Sequence, residues 1–456
     1  SPNAYGLFGM ALVFFGFARV FQRLGMSAAL VQNQDVGDEH YCSAFWVNMG
    51  AGAFLTLLFM IAAPFLAQFY GEPELISLSM CLSAGFLMGS TTIVQRAILK
   101  KKLDFRLLAI IELVAVIAAG TIGIGMACFD MGVWALAGQF LTRTGFMAIL
   151  VWGLNDWRPS FEFDLRAFRE LFGFSAYLLG TRSMNYWVRK LDDLLVGKYI
   201  GSNALGIYGR AYSLMLFPLQ NVSRVLANVM FPSFSSIQED KERVKRIYKR
   251  CSRAIALVTF PMMAGLAVTA APLVRGLLGA HWSGMIPILR VFAFVGLIQS
   301  IATLNGSLFQ SQGRTDVQFK LGLFVKVMLI IGIVIGLQWG IVGVAAGYGI
   351  ACFVTHFVEC SAAISLINMR YWEFAANLAP VLAVSASMAA AIWLIGHTLP
   401  VIWPPLATLL LKVTIGVSLY AILIHVVRLQ AYVDVRNTLA EHIRPKFPKA
   451  SALLSC

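Results

Sequence analysis

Charge is scarce in this chain of 456 residues. Only 13% of the residues are Asp, Glu, Lys or Arg, and 59% are hydrophobic, whereas soluble domains have about 25% charged and about 45 to 50% apolar residues. Residues 54–67, 107–127 and 328–351 are long runs with almost no charge. Because such runs are continuously apolar rather than alternating, they indicate membrane-spanning helices and not barrel strands.

The chain also lacks the motifs that carry common chemistry. Its seven cysteines form no CxxC pair and its six histidines show no HExxH spacing, and no P-loop or GxGxxG motif follows a strand. We therefore predict no catalytic residue, no metal site and no cofactor, and we do not expect an enzyme. We assign the net charge of +14 to membrane topology, with no nucleic acid as partner.

Polar, Pro and Gly punctuation divides the chain into about thirteen predicted spans of roughly 20 to 30 residues. Their approximate limits are 5–25, 41–70, 75–98, 105–129, 131–154, 169–200, 203–232, 243–278, 284–311, 316–338, 340–367, 372–397 and 403–428. Connections rich in Lys and Arg alternate with nearly neutral ones through every span. The positive-inside rule places the basic set in the cytoplasm, and residue 1 on the other side.

One phrase occurs twice in the chain. SPNAYGLFGMA at 1–11 and GSNALGIYGRA at 201–211 share Asn, Ala, Gly, Gly and Ala at the same positions. A full predicted span precedes the second copy, so we expect the first copy to be preceded by a helix that this sequence lacks, giving fourteen in all. Both copies then enter the membrane in the same sense, which predicts two parallel lobes of six helices.

This repeat predicts the domain organisation. The predicted parts are an N-terminal lobe without its first helix (1–154), a cytoplasmic interfacial linker (155–168), a C-terminal lobe (169–367), two extra transmembrane helices (372–428) and a cytoplasmic tail (429–456).

Polar residues inside the spans are the candidate binding site, because an ionised group in the bilayer is costly and marks a cavity or a partner. The candidates are Arg182, Asn185, Arg189 and Asp192 on one span, Arg210, Asn221, Arg224 and Asn228 on the next, and Arg19 in the first lobe. Spacings of three and four place the first four residues on one helical face. Guanidinium groups in excess of carboxylates suit an anionic, phosphate-bearing substrate. An intrahelical bridge from Arg189 to Asp192 or Asp193, and an interfacial Arg210, are the structural alternatives.

A second set of charged residues lies on corresponding helical hairpins with the signs exchanged. Glu112 could reach Arg143 in the first, and Lys326 could reach Glu359 or His356 in the second. Counted from each turn, the partners differ in depth by roughly 7 to 10 Å. Structural pairing and a role in ion coupling are both open for these five residues.

Five segments of the chain resemble a known family. They are SPNAYGLFGMA, FQRLGMSAALVQ, DDLLVGKYIGSNALGIYGRAYSL, FPSFSSIQED and FQSQGRTD. They are similar to the polysaccharide-export branch of the multidrug/oligosaccharidyl-lipid/polysaccharide flippase superfamily, and within it to Wzx-type flippases of the colanic-acid exporter kind.

The resemblance implies a multi-pass, all-α protein of the bacterial inner membrane. Its expected activity is to flip undecaprenyl-pyrophosphate-linked oligosaccharides from the cytoplasmic to the periplasmic leaflet by alternating access, for exopolysaccharide, O-antigen or capsule export. Implied partners are that lipid, membrane lipids, and the polysaccharide polymerase and export machinery. Two alternatives are open. A cation-coupled multidrug exporter favours acidic cavity residues, and a membrane polysaccharide polymerase or ligase needs a large far-side loop.

Overall fold

The computed structural model describes residues 1–22, 26, 30–31, 36–165, 183, 186–187, 190–398, 403–434 and 436. The regular elements of this described part are helical. They are α1 (Pro2–Gln22), α2 (Asp38–Tyr70), α3 (Glu74–Lys101), α4 (Phe105–Cys128), α5 (Val133–Leu154), α6 (Ser202–Pro218), α7 (Arg224–Ser235), α8 (Lys241–Leu273), α9 (Met285–Ser311), α10 (Thr315–Gly336), α11 (Gly340–Ser365), α12 (Tyr371–Thr398) and α13 (Pro405–Val426). Residues 190–199 are helical as well.

The described helices match the predicted spans closely. Among the described residues, eleven helical runs are long and apolar enough to cross a membrane, and one of them, Thr315–Ser365, is 51 residues long. That run holds two predicted spans separated by the short turn Leu337–Trp339, so the eleven runs account for twelve of the predicted spans. The remaining span, 169–200, lies largely outside the described residues. The prediction of a polytopic all-α membrane protein is confirmed.

The chain divides into two compact units, Ser1–Gly206 and Ile207–Cys456. The division falls inside α6, directly after the sixth residue of the second copy of the repeated phrase. The lobe limits expected from the repeat (1–154, 169–367 and 372–428), the linker and the tail stay predictions.

Aromatic side chains form the centre of the first unit. Phe15 of α1 stacks on Phe86 of α3 with ring centroids 4.1 Å apart, and it meets Phe140 of α5 edge-on at 5.2 Å. Beside them the buried Gln22 donates hydrogen bonds to the Phe86 carbonyl oxygen and, at 3.1 Å, to the Ser90 hydroxyl. A buried amide is tolerated here because its donors have acceptors.

Residues 155–164, the beginning of the predicted linker, are not helical and lie against α2 and α3. The buried Gln95 donates to the Trp157 carbonyl oxygen at 3.0 Å. The Trp46 indole donates to the Ser160 carbonyl oxygen at 2.8 Å and stacks on Phe161. These bonds attach the first part of the linker to the first unit.

Two glycine pairs set the packing of α10 on α11 in the second unit. A Cβ on Gly332 would lie 2.5 Å from the carbonyl oxygen of Gly347, and Gly336 and Gly343 approach each other in the same way. Each helix therefore carries a GxxxG motif at the contact, which allows the two backbones to pack closely without a hydrophobic driving force. The contact orients both helices about their axes.

Candidate functional site

The helical run from α6 to α7 presents one buried and one exposed face. Its buried stripe consists of Tyr208, Ala211, Met215, Leu219, Ser223 and Ala227. They recur every three or four residues. A π-helical turn at Leu219–Ser223 lies within the part of the run where the spacing is four residues. A π turn has more residues per turn than an α-helix, so it keeps the buried stripe in line.

The opposite face carries three of the candidate residues. Arg210, Asn221 and Arg224 are all exposed. Together with the exposed Ser213 and Phe217 they recur every three or four residues. The Asn221 amide donates to the Phe217 carbonyl oxygen at 2.8 Å. Pro218 lacks an amide hydrogen and directly precedes the π turn, which is the kind of place where a helix ladder is interrupted. We call Arg210, Asn221 and Arg224 the polar face.

Arg19 of the first unit lies in an aromatic setting. Its guanidinium carbon is 5.7 Å from the Phe15 ring centroid and 5.6 Å from that of Phe140. A guanidinium over a ring face is attracted by the ring quadrupole. Phe140 is a part of this setting that sequence reasoning missed, because an apolar residue in a span has no distinguishing signal.

Part of the predicted stripe lies outside the described residues. This holds for Arg182, Asn185 and Arg189, and for the side chain of Asn228, whose backbone is helical. Asp192 is described and accepts a hydrogen bond from the Asp193 amide at 2.9 Å. Asp193 itself forms a salt bridge with Lys190 at 2.6 Å, a partner that the sequence analysis did not consider.

Glu112 and Arg143 form an ion pair between α4 and α5. The distance from Arg143 Nη2 to Glu112 Oε1 is 2.8 Å, and each side chain is 49% exposed. A half-exposed ion pair in the middle of apolar helices cannot face lipid without a large cost. Structural pairing is thus present, whereas a role in ion coupling stays a prediction.

The corresponding pairing in the second unit is not formed. All three side chains are described, and Lys326 makes no salt bridge with Glu359 or His356. The glycine contact explains why. His356 follows Gly347 by nine residues, or about 180° around the helix at 3.6 residues per turn, and Glu359 is turned away by about 120°. Both side chains therefore project away from the side of α11 that contacts α10. The expected pairing of Lys326 with Glu359 or His356 was wrong.

The described intramembrane charges favour an anionic ligand. Within the second unit, the helical run Ser202–Ser235 carries Arg210 and Arg224, α9 carries Arg290 and α10 carries Lys326, whereas α11 contributes one carboxylate, Glu359. Arg290 is exposed and was missed, because it stood alone in its span. Among the described residues no three His, Cys, Asp or Glu side chains come together in a way that would hold a metal ion.

Comparison with known proteins gives a family and a fold. The model of a family described as polysaccharide biosynthesis protein matches residues 1–287, more than half of the 456 residues. The chain is 30% identical to teichuronic acid biosynthesis protein TuaB of Bacillus subtilis (strain 168), over 66% of this chain and 63% of TuaB. It is 27% identical to lipopolysaccharide biosynthesis protein WzxC of Escherichia coli (strain K12), over 76% of this chain and 71% of WzxC. The match thus spans less than two thirds of the length of TuaB.

Among solved structures, the lipid II flippase MurJ in its inward closed conformation has the same fold. The TM-score is 0.73 with 17% sequence identity, over 93% of this chain and 92% of MurJ. The resemblance to polysaccharide flippases drawn from the five quoted segments is confirmed by these matches. The chain belongs to the polysaccharide biosynthesis protein family.

Proposed function

We propose that the protein moves an oligosaccharide linked to undecaprenyl pyrophosphate from the cytoplasmic to the periplasmic leaflet of the bacterial inner membrane. It acts by alternating access and catalyses no covalent step. The moved lipid supplies exopolysaccharide, O-antigen or capsule synthesis, and the polymerase and export machinery are its downstream partners.

The polar face carries this proposal. Arg210 and Arg224 are exposed on a helical run of 34 residues that is long and apolar enough to cross a membrane. An exposed guanidinium on such a run favours an anionic or aqueous surrounding, because contact with lipid tails is costly. The planar donor fork of Arg matches two oxygens of a phosphate, and Asn221 offers an amide to a sugar hydroxyl.

The fold and the family support the same class of substrate. A lipid II flippase has this fold, and the names of the relatives refer to teichuronic acid and lipopolysaccharide biosynthesis. A cation-coupled multidrug exporter is less well supported, since a cationic drug needs carboxylates and the described spans of the second unit carry more Arg and Lys than Glu. The polar prenyl diphosphate head would contact the protein while the prenyl chain remains in the bilayer.

Arg19 and the predicted stripe extend the proposed site. Arg19 would contact a phosphate from its aromatic setting, and Arg182, Asn185, Arg189, Asp192 and Asn228 are proposed as further ligands of the pyrophosphate or the sugar. Replacing Arg182 and Arg189 singly by Ala in the full-length protein should reduce surface polysaccharide at unchanged protein level. Normal export from both variants would remove these two residues from the site.

A flipping assay tests the polar face directly. Full-length protein is reconstituted into liposomes with a fluorescent prenyl-pyrophosphate oligosaccharide, and an impermeant reductant bleaches the fluorophores in the outer leaflet. We expect wild-type protein to expose almost all of the label with time, and Arg210→Gln and Arg224→Gln to slow this exchange at least tenfold. That factor corresponds to the loss of about 1.4 kcal/mol of binding.

Arg275→Gln is the matched control, because it removes the same charge from an exposed position near the C-terminal end of the helical run Lys241–Leu278. Its exchange rate should equal that of the wild type. Equal rates for Arg224→Gln, Arg210→Gln and Arg275→Gln would refute the role of the polar face. Absence of exchange by the wild-type protein would refute the flippase function itself.

A further inference from the structure

The first turns of α8 hold seven basic residues, and six of them form two rows. Val244, Tyr248, Ser252 and Ile255 are the buried side of this segment. On one flank lie Lys245, Lys249 and Arg253, spaced by four residues, which we call the docking row. On the side opposite to the buried residues lie Arg243, Arg246 and Arg250, spaced by three and four, which we call the outer row. At about 100° of rotation per residue, the two rows point in directions that differ by roughly 90° around the helix axis.

The docking row is neutralised inside the second unit. Lys245 Nζ is 3.0 Å from Glu373 Oε2, Lys249 binds the other oxygen of Glu373, and Arg253 Nη2 is 2.7 Å from Asp434 Oδ2. Its side chains are only 16%, 25% and 23% exposed. These contacts attach the beginning of α12 and the residues after α13 to α8.

The outer row has a different environment. Arg243, Arg246 and Arg250 are exposed. Within the described part of the chain, neither Arg243 nor Arg246 forms a salt bridge with a carboxylate. Arg250 donates to the backbone carbonyl oxygen of Asp434 at 3.1 Å. Arg243 and Arg246 therefore present positive charge away from the protein.

The length of the helix places the outer row at the membrane surface. The run Lys241–Leu278 has 38 residues and so measures about 57 Å, against about 30 Å for the hydrocarbon core. The uncharged segment 254–274 is about as long as a helix must be to cross the hydrocarbon core. The residues before it, with both basic rows, therefore lie among the headgroups or beyond them.

The tail beyond residue 436 is itself basic. Beyond residue 436 the tail contains one carboxylate, Glu441, and three basic residues, Arg444, Lys446 and Lys449. A segment with excess positive charge is repelled by an arginine strip. The positive-inside rule puts this end of α8 in the cytoplasm, where the leaflet is rich in anionic lipids.

We propose that Arg243 and Arg246, with Arg250 beside them, bind the phosphates of anionic phospholipid headgroups in the cytoplasmic leaflet. The site is separate from the polar face and does not depend on the proposed flipping activity. It anchors α8, and through the docking row the last two helices, to the membrane surface. The protein is thereby expected to be stabilised by phosphatidylglycerol and not by phosphatidylcholine.

Thermal unfolding of the purified full-length protein in a neutral detergent tests this site. The midpoint is followed during titration with dioleoylphosphatidylglycerol or dioleoylphosphatidylcholine. We expect only the anionic lipid to raise the midpoint of the wild type, and sodium chloride to weaken the effect. Each basic residue at an anionic surface strengthens binding about fivefold, so Arg243→Gln/Arg246→Gln should raise the half-saturating lipid concentration about thirtyfold.

Lys245→Gln/Lys249→Gln is the matched control, because it removes the same charge from the other row. Its midpoint should be lower in both lipids, while its half-saturating concentration of phosphatidylglycerol stays that of the wild type. If this double variant does not fold, Lys245→Gln is compared with Arg243→Gln. An unchanged lipid response in the outer-row variant, or equal losses in both variants, overturns the site.

A third titration separates a lipid headgroup from a soluble diphosphate. Inorganic pyrophosphate at the same concentrations should leave the midpoint of the wild type almost unchanged, because it lacks acyl chains to hold it at the surface. A shift as large as that from phosphatidylglycerol, lost in the outer-row variant, would assign the strip to diphosphate binding and overturn the lipid assignment.

Discussion

Gly6 and Gly206 lie against each other's helix backbone although 200 positions separate them in the sequence. A Cβ on Gly206 would be 3.0 Å from the Gly6 amide nitrogen and would overlap the Pro2 carbonyl oxygen, and a Cβ on Gly6 would overlap the Ser202 carbonyl oxygen. Both glycines are the sixth residue of the repeated phrase. The two copies therefore share a contact, within the unit Ser1–Gly206, as well as a sequence.

Polar side chains surround this glycine contact. The Ser202 hydroxyl is 2.7 Å from Glu72 Oε1 and also contacts Asn3 Oδ1. Lys198 Nζ lies 4.7 Å from the centroid of the Phe69 ring. The positive-inside rule places these residues at the non-cytoplasmic side, where the beginnings of α1 and α6 are held together.

We predict that Gly206→Val separates these helix ends. The valine methyl groups would clash with backbone atoms that cannot move independently, a cost of about 1 to 3 kcal/mol. In the full-length protein carrying Asn3→Cys and Ser202→Cys, mild oxidation in membranes should link the two cysteines, and Gly206→Val should lower the yield severalfold.

Gly209→Val is the control, since a Cβ at Gly209 has no neighbouring atom within 4 Å. Its cross-linking yield should match that of the glycine parent. Equal yields with valine at 206 and at 209 would show that the close approach of the two backbones is not needed.

The glycine pairs of α10 and α11 give a second prediction. Gly347→Leu should force the helices apart and lower both the amount of folded protein in the membrane and its unfolding midpoint, because close backbone contact is the main attraction between such helices. Gly322→Leu lies on α10 where a Cβ has no neighbour within 4 Å and should have little effect. A similar loss from both changes would contradict the assigned contact.

A third prediction concerns Glu373, which forms salt bridges with both Lys245 and Lys249. Glu373→Gln removes the carboxylate and leaves two ammonium groups near each other, so the unfolding midpoint should fall by several degrees. The difference from the wild type should shrink at high salt, because partly exposed charges are screened. Glu242→Gln removes an exposed carboxylate from the same helix end, and its midpoint should stay within error of the wild type.

The pair Glu112–Arg143 gives a fourth prediction. Glu112→Arg and Arg143→Glu should each reduce the amount of folded protein. Each change puts two like charges in the place of an ion pair whose charged atoms are 2.8 Å apart. The double exchange should restore much of it, and the double-mutant cycle measures the coupling. Losses that simply add would show that the pair contributes no stability.

The same pair allows a test of ion coupling in the flipping assay. If Glu112 carries the coupling ion, an imposed proton gradient should accelerate exchange by the wild type but not by Glu112→Gln. Equal acceleration of both would leave the pair with a structural role only.

The fold was largely predictable, whereas the site was predictable only in part. The predicted spans 105–129 and 131–154 correspond to the helices Phe105–Cys128 and Val133–Leu154. Such spans are predictable because local hydropathy and turn residues set where a membrane helix begins and ends. Glu112 was matched with Arg143 correctly. Lys326 was matched incorrectly, because two glycine pairs that were not considered decide how α10 and α11 face each other.

Other features had no usable signal in the sequence. The π turn at Leu219–Ser223 is recognisable only from the spacing of buried residues, which is known once the neighbours of the helix are known. Phe140 resembles any other aromatic residue of a span until it is found beside Arg19. The two rows of α8 look like one basic cluster until Glu373 and Asp434 are seen on one flank.

By itself, the sequence determined that this protein crosses the membrane many times as helices and that one phrase is repeated, and it predicts which ends of the helices face the cytoplasm. Composition and charge distribution suffice for this, because the bilayer acts on each segment separately. Only the tertiary structure decided which polar residues meet, that Gly6 touches Gly206, and which half of a basic cluster remains exposed. These depend on the rotation and depth of each helix against its neighbours, which packing selects and a linear pattern leaves free.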